Sequence, residues 1–600
     1  MPFFVELGSQ VQGFPQKPLI SAVVGEWQVV SGLGFRLYFS PSAKFGKVGA
    51  SREAARLDWQ GPVIVLDGYV GQIGDSSCFA EPTADVEQLA RLLHQDGVAS
   101  LDRLSGCFVI VIAWPSSGRV VVYRDRLGGR TAYWHRDNQR ILLSSSAGMI
   151  AGALGRVSLD REWLAHWFGL GWPALPALTP FSSIRELLPG EQLEIADRRI
   201  HRHRAPFKMP VSAQARSSSE WLALFNSTFT DSVHACLDPE GSTALMLSGG
   251  LDSGPTAVVA ANLLSGERRS LTAVSWSLPS IPDADESERI QGLAAALDLR
   301  CESFDGGDYV PYRRLTTDLV VADFPTFNFY REIILLCYEH AARLGISVIL
   351  NAARGDLIYP PGNMRLADLW ARGERGAFLS SLLRRFQILG WSGTWRDPSF
   401  RYWLRRLIQP LWSRRQSPPK WLAHSALVHL PEVDLWPVEV KQHPLPQYAA
   451  RLIGSAMAWG TAHENLFSQR FGVERRDPFQ NEALVRLMLQ MPVSMSVRDG
   501  TDKWIMREAM RGRMPERFRI VGRTGLLNGF LRLGFEQNRE HLRRFLFSKN
   551  TDWQAWVRPE FVGAVLDDRD VSEQGQMILG KCVGYSLWLK RLEIEGISVI

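Results

Sequence analysis

Six consecutive residues, Ser248-Gly249-Gly250-Leu251-Asp252-Ser253, have the types and spacing to hold a polyphosphate. They follow an apolar, strand-like run at 244–247 and precede a helix-like run at 255–264. Two glycines let the backbone approach an anion, the helix N-terminus offers unpaired N–H groups, and Ser248 and Ser253 add hydroxyl donors. Asp252 is then placed to hold a magnesium ion on those phosphates. The turn has no lysine and no G-x-x-x-x-G-K-[ST] pattern, so it is not the commoner phosphate loop. It is not G-x-S-x-G either, which argues against Ser248 as an esterase nucleophile. A glycine turn of an ordinary α/β protein is the plain alternative.

The elements that must position this loop are legible around it. Strand-like runs at 244–247, 271–277, 300–304 and 347–350 alternate with helical runs at 255–264, 286–297 and 328–344. Such alternation predicts a parallel sheet covered by helices, with ligands at the carboxyl ends of the strands. Beyond Gly355-Asp356 the pattern is largely helical, broken at Pro418-Pro419 and at 444–446. Up to about residue 200 the chain is β-rich: runs at 108–114 and 120–123, joined by Pro115-Ser116-Ser117-Gly118, predict a hairpin. With helical segments at 85–95 and 161–168, an α+β domain is expected over 1–204. Residues 205–219, with two prolines and four serines, read as a linker, and 220–600 as the second unit.

Composition narrows the function classes. Hydrophobic residues make up 46% and charged residues 22% of the 600, as in soluble globular proteins. No apolar run reaches transmembrane length and residues 1–10 hold no export leader, so a cytoplasmic location without a membrane partner is expected. The six cysteines form no C-x-x-C pair, which disfavours zinc and a disulfide framework. A net charge of +6 is slight for this length, and no nucleic-acid partner is expected. Residues 369–421 interleave tryptophans with arginines, either as a grip on a peptide or partner protein or as core anchors with a solvated face.

Taken together, the ordered motifs resemble the asparagine synthetase superfamily over nearly the whole chain. Asp85-Val86-Glu87, LDRLSGCF at 101–108, YRDRL at 123–127 with Gly128, and TPFSSIRELLPG at 179–190 follow that family's glutaminase domain. SGGLDS, Asp285-Glu286-Ser287, GVERRDPF at 472–479 and DKWIMREAM at 502–510 with Met514-Pro515 follow its synthetase domain. The resemblance implies an Ntn-type glutaminase-like α+β domain, then an α/β ATP-pyrophosphatase (adenine nucleotide α-hydrolase-like) domain with a helical C-terminal part. It also implies an AMP-forming carboxylate–amine ligase using ATP and Mg2+.

Departures from the family pattern refine this expectation. A class II glutaminase needs a cysteine directly after the initiator methionine, and position 2 is Pro2, which has no thiol. Asp67-Gly68 stands where the family has Asn-Gly at its oxyanion site. The first domain is therefore expected not to release ammonia, and the amine must come from elsewhere. Size and an enlarged helical region are similar to lasso peptide cyclases. This implies macrolactam closure on the Asp or Glu side chain of a precursor or core peptide, with a leader peptidase as partner. A β-lactam synthetase, an ammonia-dependent asparagine synthetase and a non-catalytic peptide-binding scaffold remain the alternatives.

The site expected on this basis has three parts. The nucleotide set is Ser248, Gly249, Gly250, Leu251, Asp252 and Ser253, with Ser275, Glu286, Arg354 and Gly355. Arg354 lies in NAARGD at 351–356, where it replaces a family glycine or acidic position and could meet phosphate through its planar fork. The metal set is Asp252 and Asp356. For catalysis the resemblance implies Lys503 as the stabiliser of the adenylation and amide-forming transition states. Glu464, with His463, is a general-base candidate. Glu474 is either a buried ion pair with Arg475 or Arg476 or a polar group of the acceptor pocket. Glu286 is either a solvent-facing first-turn residue or a nucleotide contact, and Arg523 is a further candidate for phosphate.

Overall fold

Strands of the first domain carry unbroken apolar runs such as FVIVIAW, and the computed structural model shows the cause: both faces of each sheet are covered. In the strand Leu104–Trp114, Val109, Val111 and Ala113 point into a core shared with a second sheet. The alternate residues Phe108, Ile110 and Ile112 pack with Leu89 of the helix Val86–Asp96. Both sheets have six strands. One runs in the order Arg199–Arg204, Glu191–Ala196, Arg119–Arg124, Leu104–Trp114, Val63–Ile73, Lys44–Lys47. The expected hairpin is present, with Ile112 opposite Val121 and Gly118 at φ 68° closing the turn.

The structure describes residues 3–8, 28–32, 34–39, 44–47, 62–73, 86–170, 177–210, 216–239, 241–326, 328–408, 419–430, 440, 443–453, 455–498, 501–520, 528–548, 552–568 and 571–600. Pro2 and Arg523 lie outside these residues, as does the His463 side chain.

The second unit opens with the helix Ser218–Cys236, whose start is fixed by a capping box between Ser217 and Glu220. Three of the four serines that suggest a linker thus serve the helix, Ser217 as its cap and Ser218 and Ser219 as its first residues. Phe207 is buried in the core of the second unit, so that part of the 205–219 segment is docked. Five parallel strands follow in the order Arg300–Asp305, Leu271–Ser277, Thr243–Met246, Val348–Leu350, Glu474–Arg476. The chain steps outward on one side of Thr243–Met246 and then crosses to Val348–Leu350 on the other. The crevice between those two strands is the switch point where open α/β sheets place ligands. SGGLDS leaves the first of them and NAARGD the second.

The two units share a core. Trp163, Trp167 and Phe168 of the first domain pack with Trp556, Tyr585 and Trp588, and the strand Ser598–Val599 pairs in parallel with Arg156–Val157. No described helix is long and apolar enough to cross a membrane.

Candidate active site

The loop after Thr243–Met246 is held open by its own serines. Ser248 N–H donates to Ser253 Oγ at 3.1 Å, and the two hydroxyls lie 3.0 Å apart. Gly249 takes φ 68°, a conformation that disfavours any side chain, and Leu251 is buried beneath the turn. Gly250 carbonyl accepts from Gly254 N–H at 2.9 Å, which starts the helix Ser253–Gly266.

Opposite lies the helix start at Gly355. A Cβ on Gly355 would sit 2.1 Å from Asp252 Cγ, so only glycine lets the two loops meet. Lys503 joins them: Nζ donates to Asp252 Oδ2 at 2.5 Å and to Asp356 Oδ1 at 2.6 Å. Its backbone is at φ 54°, the left-handed region, just ahead of the helix Trp504–Ala509. Holding a non-glycine residue there costs on the order of 1 kcal/mol, and it aims the side chain back at the acids. Burial opposes the charge on Lys503, but Asp252 and Asp356 outweigh it and raise its pKa.

Two carboxylates converging on one point fit the donor set of a magnesium ion that also binds phosphate oxygens. Asp252 Oδ1 is buried without a hydrogen-bond partner among the described residues, an acceptor available to a cation. Arg289, which the sequence reading did not single out, lies against Gly249, and its Nε and Nη2 are likewise buried without partners. One signal was its place in the first turn of the helix after Glu286. Glu286 itself is the N-cap residue of that helix, Ser287–Ala296.

Three of the expected residues have structural partners of their own. Ser275 is fully buried and donates to the Leu247 carbonyl at 2.7 Å, so its hydroxyl braces the strand that carries the loop. Glu464 accepts from the Tyr338 hydroxyl at 2.7 Å, which ties its helix Ser455–Arg470 to Arg331–Arg343. Glu474 pairs in register with Val348, at the amino end of the parallel sheet and away from SGGLDS. There it takes Arg476 at 3.0 Å and Arg130 of the first domain at 3.0 Å. Of its two readings, the structure realises the buried ion pair.

Arg354 is also buried, with Asp477 3.9 Å away. Burial and the neighbouring Arg475 bring its pKa down to about 10, so it keeps its charge at neutral pH beside the loop. Asp477 in turn binds Arg475 at 3.1 Å. A row of buried charges therefore runs from Asp67 and Arg130 through Glu474 and Arg476 to Arg475, Asp477 and Arg354.

Burial raises the Asp252 carboxyl to about 6, with Lys503 pulling down and Asp356 pushing up. Its folded pKa exceeds the unfolded value near 3.9, so folding favours the protonated form. Stability of the nucleotide-free chain should fall as pH rises from about 4 through about 6. Asp252→Asn is expected to flatten that slope and raise the unfolding temperature near neutral pH, measured by calorimetry across the window. An unchanged slope would show that Asp252 does not titrate there.

Residues 224–590 match the family described as asparagine synthase, and 76–205 match the glutamine amidotransferase domain. Asparagine synthetase [glutamine-hydrolyzing] 3 of Bacillus subtilis (strain 168) is 22% identical over 453 residues, 73% of this chain and 69% of that protein. Two solved structures are more distant. The allosteric regulatory enzyme of purine biosynthesis aligns at 12% identity over 51% of this chain and 80% of that chain, with a TM-score of 0.22. Glutamine phosphoribosylpyrophosphate amidotransferase from B. subtilis, complexed with ADP and GMP, aligns at 11% identity over 59% and 90%, with a TM-score of 0.22.

Proposed function

The chain belongs to the asparagine synthase family and is an ATP-dependent amide-forming ligase, and from that premise we propose that it closes a macrolactam within a peptide. The acceptor is an Asp or Glu side chain of a leader-cleaved peptide, and the amine is that peptide's own N-terminus, as in lasso peptide cyclases. One combination supports this reading: Lys503 set between Asp252 and Asp356 at an intact SGGLDS loop, in a chain with Pro2 where a glutamine-hydrolysing member needs a cysteine.

The chemistry starts with a carboxylate oxygen attacking the α-phosphorus of ATP. The bond to pyrophosphate breaks, and an acyl-adenylate forms. The N-terminal amine then attacks the acyl carbon, loses a proton, and expels AMP. The loop of Ser248, Gly249, Gly250 and Ser253 cradles the phosphates, and Arg289 and Arg354 add cationic charge beside it. Magnesium, held by Asp252 and Asp356, would neutralise the departing pyrophosphate. Lys503 places a point charge where negative charge moves between oxygens.

Incubation with ATP and a core peptide should yield AMP, pyrophosphate and a peptide lighter by one water, read by mass spectrometry. Formation of ADP, or AMP release with no cyclised peptide among substrates bearing an Asp or Glu, would overturn the reading. The similarity to an asparagine synthetase favours one second reading, with aspartate and ammonia as substrates. The same assay with those compounds separates the two. The proposal also places the enzyme in the cytoplasm beside a leader peptidase that frees the amine.

A further inference from the structure

Half of the exposed large apolar side chains among the described residues lie between 370 and 407. Part of the tryptophan-rich segment is core: Phe378, Phe400 and the edge of Trp403 pack together under Trp370. Other positions of the helix Arg375–Arg396 are not. Leu379 is 56% exposed, Leu383 61%, Ile388 70%, Trp391 70% and Trp395 45%. Leu379 and Leu383 form one i, i+4 pair and Trp391 and Trp395 another. Gly390, at φ 67°, breaks the helix between the two pairs. Phe386, Trp391, Trp395 and Phe400 continue ring against ring across the break, so the aromatic surface is already ordered.

Charge is concentrated in the same place. Residues 375–408 hold seven arginines and one acid, Asp397, an excess of six that equals the formal charge of +6 on all 600 residues. Asp397 is engaged internally, by Arg385 at 3.3 Å and by the Phe400 N–H at 2.9 Å. A concavity of about 510 Å³ opens beside the second pair, lined by Ser392, Trp395, Arg396, Arg401, Leu404 and Arg405. Three guanidinium groups around a recess beside tryptophan match carboxylates carried on a protruding chain, since Arg binds carboxylate in a fork and Trp supplies contact area. A flat lipid surface would not enter it.

We propose that this surface docks an acidic polypeptide segment whose apolar residues cover the exposed side chains of Trp391 and Trp395 and their neighbours and whose carboxylates enter the Arg396–Arg401–Arg405 recess. The surface belongs to binding and needs no nucleotide, so it stands or falls separately from the ligase reading. The test titrates the full chain, by anisotropy, with a synthetic amphipathic helix bearing leucines on one face and glutamates along its borders. A counterpart with lysines for the glutamates and vesicles of phosphatidylglycerol are the controls. The acidic peptide should bind at least about tenfold more tightly than the basic one and lose affinity with added salt. Arg401→Glu with Arg405→Glu, and separately Trp391→Ser, should each weaken it by about tenfold or more without changing ATP binding. Equal or absent affinity for the two peptides overturns the proposal. So does capture by vesicles alone, or self-association of the wild-type chain that Trp391→Ser abolishes.

Discussion

Lys503→Met is expected to lower carboxylate-dependent exchange of pyrophosphate into ATP by about 10²- to 10³-fold, the loss typical of removing one preorganised charge from a transition state. The geometry behind this is the pair of contacts at 2.5 and 2.6 Å to Asp252 and Asp356, which fix the ammonium at the meeting point of the two loops. Lys503→Arg should not restore the rate, because a planar fork cannot occupy the place of a compact ammonium between two acids. Stability should also fall, because Asp252, which burial already pushes up to about 6, loses its ammonium partner, whereas Asp356 is 80% exposed and solvent screens its charge; the exchange rate is therefore read on a variant shown to be folded. Exchange at the wild-type rate in Lys503→Met would remove this residue from the chemistry.

The second large effect is on stability. Glu474→Gln should cost roughly 3–5 kcal/mol, because it leaves two buried guanidinium groups, Arg130 and Arg476, without the carboxylate that joins them. The remaining acid facing Arg130, Asp67, is 3.9 Å away, too far for a close pair. Denaturant unfolding followed by tryptophan fluorescence measures the loss. Combined with Arg130→Met, the two substitutions should cost less than their sum by about 1–3 kcal/mol, since they act on one contact. A glutamine variant with unchanged stability and lost turnover would instead return Glu474 to the acceptor pocket.

These two residues also mark what could be read in the chain and what could not. SGGLDS, the alternating strands and helices around it and the hairpin at 104–124 were legible because each is specified by neighbours in sequence. Lys503 was legible only through its motif; nothing in DKWIMREAM shows that it reaches Asp252, 251 positions away. The fifth parallel strand, Glu474–Arg476, is fully buried and entirely charged, so it lacks the apolar pattern by which strands are recognised. Its compensating partner, Arg130, comes from 344 residues earlier and from the other domain. The partner of Ser275 was equally out of reach: its hydroxyl donates to the Leu247 carbonyl, 28 residues earlier, a contact between neighbouring strands.

The pairing of Ser598–Val599 with Arg156–Val157 bears on how the molecule is made. A nascent chain that has completed the first domain still lacks part of the cover of Trp163, Trp167 and Phe168, since Trp556, Tyr585 and Trp588 leave the ribosome only near the end of synthesis. Until then a wide aromatic face stays bare, an invitation to chaperones. The same dependence means that recombination could not exchange the two halves as cassettes, because each inherits part of its interior from the other.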